Sequence, residues 1–218
     1  MLYFLLNDPI LFVIWIVALV IGITVHEFMH AWMANALGDP TAKFLGRLSI
    51  NPLKHLDPLG TLLLVLVGFG WGKPVPVNPL RLKWGRWGDI LVSVAGILTN
   101  LITAAIFALA LRFLLFANSH PSAYAVTFLD VVVQVNILLA VFNLVPLPPL
   151  DGSKIFLALL PARFDEFKAK FENFGPMILF GIILLERLLN TSILFAIIGP
   201  VINFLHQLFI GNSSLGLF

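Results

Sequence analysis

The chain contains no cysteine. Disulfides, thiolate nucleophiles and thiolate metal ligands are therefore excluded, and any bound metal must be held by His, Asp or Glu. Charge is also scarce. Asp, Glu, Lys and Arg make up 11% of the 218 residues, against 60% hydrophobic residues, and the mean hydropathy is +1.01. A soluble domain of this length cannot hide so much apolar surface, so the composition is that of a polytopic membrane protein. The net charge of +2 and pI near 9.1 do not point to nucleic acid, because the basic residues follow membrane sidedness. The first segment lacks a basic start and a small-residue cleavage site, so it is not expected to be a cleavable signal. Internal repeats and low-complexity tails are not apparent.

What the chain does have is long apolar runs. The expected fold class is all-α, with about five transmembrane helices: 9–37, 89–117, 124 to the prolines beginning at Pro146, 174–189 and 192–209. Gly38, Asp39 and Pro40 should stop the first. The apolar stretch 59–70 is too short to span and should dip into the membrane or lie buried. A short helix should resume at Asp151 and end near Pro161, and a mixed-charge linker, 163–172, should precede the last two helices. The expected division is a core over 1–160 and two additional C-terminal transmembrane helices over 161–218.

Lys43, Arg47, Lys54, Lys73, Arg81, Lys83 and Arg86 fall between the first two long helices, and Lys154, Arg163, Lys168 and Lys170 between the third and fourth. Only Arg112 and Arg187 fall toward the other face. The positive-inside bias then puts these connections in the cytoplasm, the N-terminus outside and the C-terminus inside.

One motif interrupts the apolar pattern. Residues 11–25 carry no charge, and His26-Glu27-Phe28-Met29-His30 follows directly. In a helix His26 and His30 are one turn apart and face the same way, so both imidazoles can grip one ion. Glu27 lies beside them and can take a proton from water activated by that ion. The bland alternative is two interfacial histidines and a snorkelling glutamate. A catalytic zinc site needs a third protein ligand and one open position. Asp151 is the candidate, because Pro146, Pro148 and Pro149 force the backbone before it out of helix at membrane depth, which is tolerated only where it is buried or lines a wet cavity. Its alternative role is to cap the following helix.

Other residues carry weaker signals. Asn100 falls on a stripe with Ser93, Gly96 and Thr103, and either donates to a developing oxyanion or belongs to a small-residue packing seam. Asn143 either serves the same end, engages substrate or holds the broken backbone before Pro146. Asn136 reads as packing glue. The stretch 68–79, with Gly68, Gly70, Trp71 and Val75, offers a strand edge for an unwound substrate, or else is an ordinary Gly/Pro loop. His55 and Asp57 lie in a polar loop, as accessory ligands or as solvated groups. His120 and His206 stand outside any constellation.

The pair of motifs, His26-Glu27-Phe28-Met29-His30 and the later Asn143, Pro146, Pro148, Pro149, Leu150, Asp151, Gly152, resembles the site-2 protease family of intramembrane zinc metalloproteases, peptidase family M50. The resemblance covers about two-thirds of the chain, and 68–79 also resembles the family's G-x-G region, which implies a short re-entrant or β-hairpin element associated with the membrane. It implies one zinc per chain held by His26, His30 and Asp151, Glu27 as catalytic base, and a transmembrane protein substrate cut near the cytoplasmic side. It is similar to the minimal form, without a PDZ or CBS module. The expected location is the cell membrane of a bacterium or archaeon, and the role of the last two helices, as a gate or as a pairing surface for a second protomer, is left open by the sequence. The competing class is a metal-ion transporter or non-catalytic metal-binding scaffold, which has no need for Glu27 and would want polar residues on several helices through the whole bilayer.

Overall fold

The structure is a computed structural model that describes residues 2–67, 70–117 and 120–211. Its helices are α1 (Leu2–Asn7), α2 (Pro9–Ala36), α3 (Thr41–Phe44), α4 (Pro58–Val67), α5 (Arg86–Ala117), α6 (Ala123–Asn143), α7 (Asp151–Leu159), α8 (Asp165–Leu189) and α9 (Ile193–Ile210). The protein is an all-α polytopic membrane protein. Among the described residues, α2, α5, α6 and α9 are long and apolar enough to cross a membrane. The other long helix, α8, spans 25 residues, but Glu186 and Arg187 interrupt its apolar half. The Glu186 side chain accepts from the Leu194 amide, tying the end of α8 to the first turn of α9.

Local chemistry sets the ends of α2. Asp8 caps its start by accepting from the Leu11 amide at 2.9 Å, and Pro9 occupies the first turn, where a missing N–H costs nothing. Gly38, at φ 101°, ends it as expected, since a left-handed residue after a helix favours glycine.

Helices α2, α5 and α6 pack on one another, with α9 against α5 and α6 and α7 against α5. Lipid is as apolar as the helix faces, so close packing of small residues does much of the holding. Ala18 of α2 meets Val131, Val132 and Val135 of α6, and Ala104 and Ala108 of α5 meet Val133, Ile137, Ile198 and Ile202.

Two expectations need correction. The short apolar element is present as helix α4, but no hairpin accompanies it among the described residues: 70–78 forms no helix or strand and makes one isolated antiparallel bridge, Gly72 to Leu56. Pro74 and Pro76 lack N–H groups, so a ladder cannot propagate through them. His206 is not isolated either. Its Nε2 lies 2.9 Å from Oδ1 of the buried Asp130, whose Oδ2 accepts from Gln134 Nε2 at 2.8 Å, so a polar cluster links α6 to α9. His55 is fully buried, with Nε2 2.6 Å from the Ser49 carbonyl, and Asp57 accepts from the Gly60 amide at the start of α4. Neither is a metal ligand in this arrangement.

Candidate metal centre

His26 and His30 lie on adjacent turns of α2 and are both buried. Their Nε2 atoms are 2.9 Å apart. Oδ2 of Asp151, carried in by the turn after α6, lies 3.1 Å from His26 Nε2 and 3.0 Å from His30 Nε2. Asp151 is the first residue of α7 and does not cap it: the N-cap position is Leu150, without a side-chain cap bond. The other carboxylate oxygen, Oδ1, is held by Lys154 Nζ at 3.2 Å, which leaves Oδ2 facing the imidazoles.

The hydrogen positions follow from the partners. Nδ1 of His30 is 2.8 Å from the Val92 carbonyl, which can only accept, so Nδ1 carries the hydrogen. Nδ1 of His26 is 2.7 Å from Asn100 Oδ1. The orientation of that amide is fixed independently, since its nitrogen is 3.0 Å from the Gly22 carbonyl. Nδ1 of His26 is therefore a donor too. In their neutral forms both imidazoles then turn a lone pair from Nε2 toward Oδ2 of Asp151, an oxygen with no hydrogen-bond donor. Three acceptors converge, and a cation resolves the conflict.

The donor set suits zinc. Two imidazole nitrogens and one carboxylate oxygen are a donor set that catalytic zinc sites use, and these three could hold a metal ion. Bonds of about 2.0–2.1 Å at tetrahedral angles separate ligand atoms by about 3.3 Å, so the observed triangle needs to widen by a few tenths of an ångström.

Small residues on α5 make this approach possible. A Cβ on Gly96 would lie 2.6 Å from Cε1 of His30 and 2.8 Å from Cε1 of His26. The stripe on α5 is thus the wall of the metal centre. Asn100 does not fit as an oxyanion donor. Its nitrogen serves the Gly22 carbonyl and, at 2.9 Å, Asn136 Oδ1, so both hydrogens are engaged behind His26.

Glu27 is half-buried beside the two histidines, and its Oε2 accepts from the Val75 amide at 2.8 Å. That bond occupies the Val75 N–H expected to pair with substrate. Gly70 and Trp71 pack against α4, where a Cβ on Gly70 would lie 2.1 Å from the Gly60 carbonyl oxygen, while Gly68 lies outside the described residues. Asn143 donates to the Leu139 carbonyl one turn back at 2.9 Å, which binds it to its own helix.

Sequence reasoning missed Lys154, the Val92 carbonyl and the Val75 amide, and read Asn136 as packing glue. Lys154 stands three residues after Asp151, a spacing that places both on one helix face; backbone groups leave no mark in a sequence.

The sequence matches known proteins along much of its length. A family profile described as Peptidase family M50 matches residues 115–186, which include Asp151. The chain is 41% identical over 164 residues to "Putative zinc metalloprotease YwhC" of Bacillus subtilis, covering 73% of this chain and 75% of that protein. The chain belongs to peptidase family M50. Two further relatives are more distant. "Putative zinc metalloprotease Rip2" of Mycolicibacterium smegmatis is 34% identical over 147 residues, 65% of this chain and 55% of Rip2. "Zinc metalloprotease MJ0392" of Methanocaldococcus jannaschii is 24% identical over 202 residues, 89% of this chain and 50% of that protein. Comparison with solved structures finds no match. As a member of M50, the chain is a membrane metalloprotease of the site-2 protease type.

Proposed function

We propose that this M50 protease binds one zinc per chain through His26, His30 and Asp151, and hydrolyses peptide bonds of transmembrane proteins near the cytoplasmic side of the membrane. The observation that carries the reading is the convergence of two imidazole lone pairs and one carboxylate oxygen within 3.1 Å, beside a carboxylate that belongs to none of them. Zinc in this triangle supplies Lewis acidity, acidifying water and polarising a carbonyl. Glu27 accepts the proton of the attacking water and passes it toward the leaving amine. Asn100 and the Val92 carbonyl hold the imidazoles in the tautomer that binds metal, and Lys154 directs Asp151 to bind through one oxygen.

Every group in this scheme falls within 1–160, the expected core. The basic connections 43–86 and 154–170 face the cytoplasm in this reading, which puts the cut on that side. Zinc analysis, with cleavage of a panel of single-span membrane proteins by wild type and Glu27→Gln, tests the function. The variant keeps zinc and loses at least about 100-fold in rate, the usual contribution of a positioned base. Cleavage by Glu27→Gln at the wild-type rate removes the mechanism. Single cysteines at positions 83 and 168, in this cysteine-free background, resist an impermeant label from outside intact cells; labelling there reverses the sidedness.

A further inference from the structure

The bond between Glu27 and Val75 belongs to a larger arrangement. Pro74 and Pro76 flank Val75 and have no N–H, so over 74–76 the Val75 amide is the single backbone donor. It is spent on Glu27 Oε2. Pro76 also biases Val75 toward extended backbone, and the two rings stiffen the segment. Both ends of 73–78 are held by buried charged side chains. Arg47 donates NH2 to the Lys73 carbonyl at 2.6 Å and NH1 to the Pro74 carbonyl at 3.1 Å, a planar fork across two successive carbonyls. Asp39 Oδ2 accepts from the Asn78 amide at 2.6 Å. Arg47 is 7% exposed and Asp39 0%, and the Lys73 amide adds a bond of 2.8 Å to the His55 carbonyl.

We propose that 73–78 is a fixed strap whose Val75 amide aims the Glu27 carboxylate, and that Arg47 and Asp39 are positioning residues for proteolysis acting through it. The proposal rests on the reading of Glu27 as base. A glutamate on a helix has several rotatable bonds and, without a partner, samples many directions. One N–H from a stiff segment, itself anchored on both sides, restricts Oε2 to a small region, and catalysis is sensitive to misplacement of about an ångström. The N–H groups of 73–75 and the carbonyls of Lys73 and Pro74 are correspondingly unavailable to substrate, since they are bonded within the protein.

Amide hydrogen exchange of the full-length protein in detergent micelles tests the strap directly. Val75 is half-buried, so its protection reports the bond to Glu27. Glu27→Ala raises exchange at Val75 at least about tenfold and leaves Lys73 and Asn78 unchanged; Arg47→Met and Asp39→Ala raise all three. Exchange is measured on zinc-loaded and chelator-stripped protein, so it stands whether or not the protein cleaves. With fluorescent casein as the probe, Arg47→Met keeps wild-type zinc content and KM and loses at least about tenfold in kcat, and Arg47→Lys recovers part of the loss. Val75 exchange indifferent to Glu27→Ala overturns the proposal, as does a kcat loss in Arg47→Met that merely follows lost zinc. A wild-type protein that takes no zinc and cleaves nothing defeats the zinc-protease reading instead, while the exchange result still decides whether the strap holds Glu27.

Discussion

Oδ1 of Asn100 accepts from Nδ1 of His26 at 2.7 Å, and the relationship is the first of a series. The Asn100 nitrogen donates to Asn136 Oδ1, and Asn136 Nδ2 donates to the Val132 carbonyl at 2.8 Å. Three helices thereby agree on which nitrogen of His26 is free to bind metal. Asn100→Ala should lower zinc affinity about 10–100-fold, the usual cost of losing a partner behind a ligand, and Asn136→Ala should cost less. Competition with a chromophoric chelator measures both. Saturating zinc should restore most of the activity of Asn100→Ala. A rate still about 100-fold low at full occupancy would instead return Asn100 to the oxyanion role.

Gly96 makes the second prediction. Its missing side chain is the space used by both imidazoles, with a Cβ placed 2.7 Å from His30 Nε2. Gly96→Ala must push α5 away from α2 or rotate the rings. Zinc affinity should fall by more than about tenfold, because the ligands lose their common focus. Gly181 has open space around a Cβ, so Gly181→Ala is the matched control and should bind zinc normally. Equal zinc binding by both variants would remove the close-approach argument.

The third prediction concerns the metal-free protein. Without a cation, two Nε2 lone pairs and Oδ2 of Asp151 face one another in a buried site. Asp151→Asn replaces that oxygen by an NH2 group that can donate to both rings. The chelator-stripped variant should therefore unfold at a higher temperature than chelator-stripped wild type, by the equivalent of about 1–3 kcal/mol. The order reverses in excess zinc, which stabilises only the chain that binds it. Wild type that stays the more stable after chelation would mean the triangle is not strained by its own acceptors.

The residues show why some of this was readable in advance. His26, Glu27 and His30 announce themselves because charge and metal-ligating side chains are costly in an apolar run, and Asp151 because prolines break a helix at that depth. The long helices follow from hydropathy, and the end of α2 from Gly38. Asn100 was visible as a polar residue on a small-residue stripe, but its role depends on the Gly22 carbonyl on another helix, which spacing within α5 cannot reveal. The expected hairpin failed on Pro74 and Pro76, whose missing N–H groups were legible, whereas the destination of the Val75 N–H between them was not. His206 was unassigned for the same reason: its partner, Asp130, is 76 residues away.

The last prediction concerns acid. Asp39 lies just beyond the end of α2. Burial raises its pKa, but the Asn78 amide, the Thr41 hydroxyl and amide, and the charge of Arg81 together hold it below its ordinary value of 3.8. The folded protein thus binds the proton less readily than the unfolded chain. The stabilisation from this group is complete above about pH 4 and is lost as pH falls through the lower, folded value. The anchor at Asn78 should hold unchanged from pH 8 to 5. Asp39→Asn loses the charge and one acceptor, so it should melt several degrees below wild type near neutrality, and the gap should start to close as pH falls below about 4, where the unfolded wild type takes up the proton, and finish closing below the lowered folded value. Thermal unfolding of both proteins in the same detergent from pH 7 to 3 measures it. A gap that stays constant or widens toward pH 3 would show that the carboxylate charge of Asp39 is not what holds Asn78 and the end of the strap.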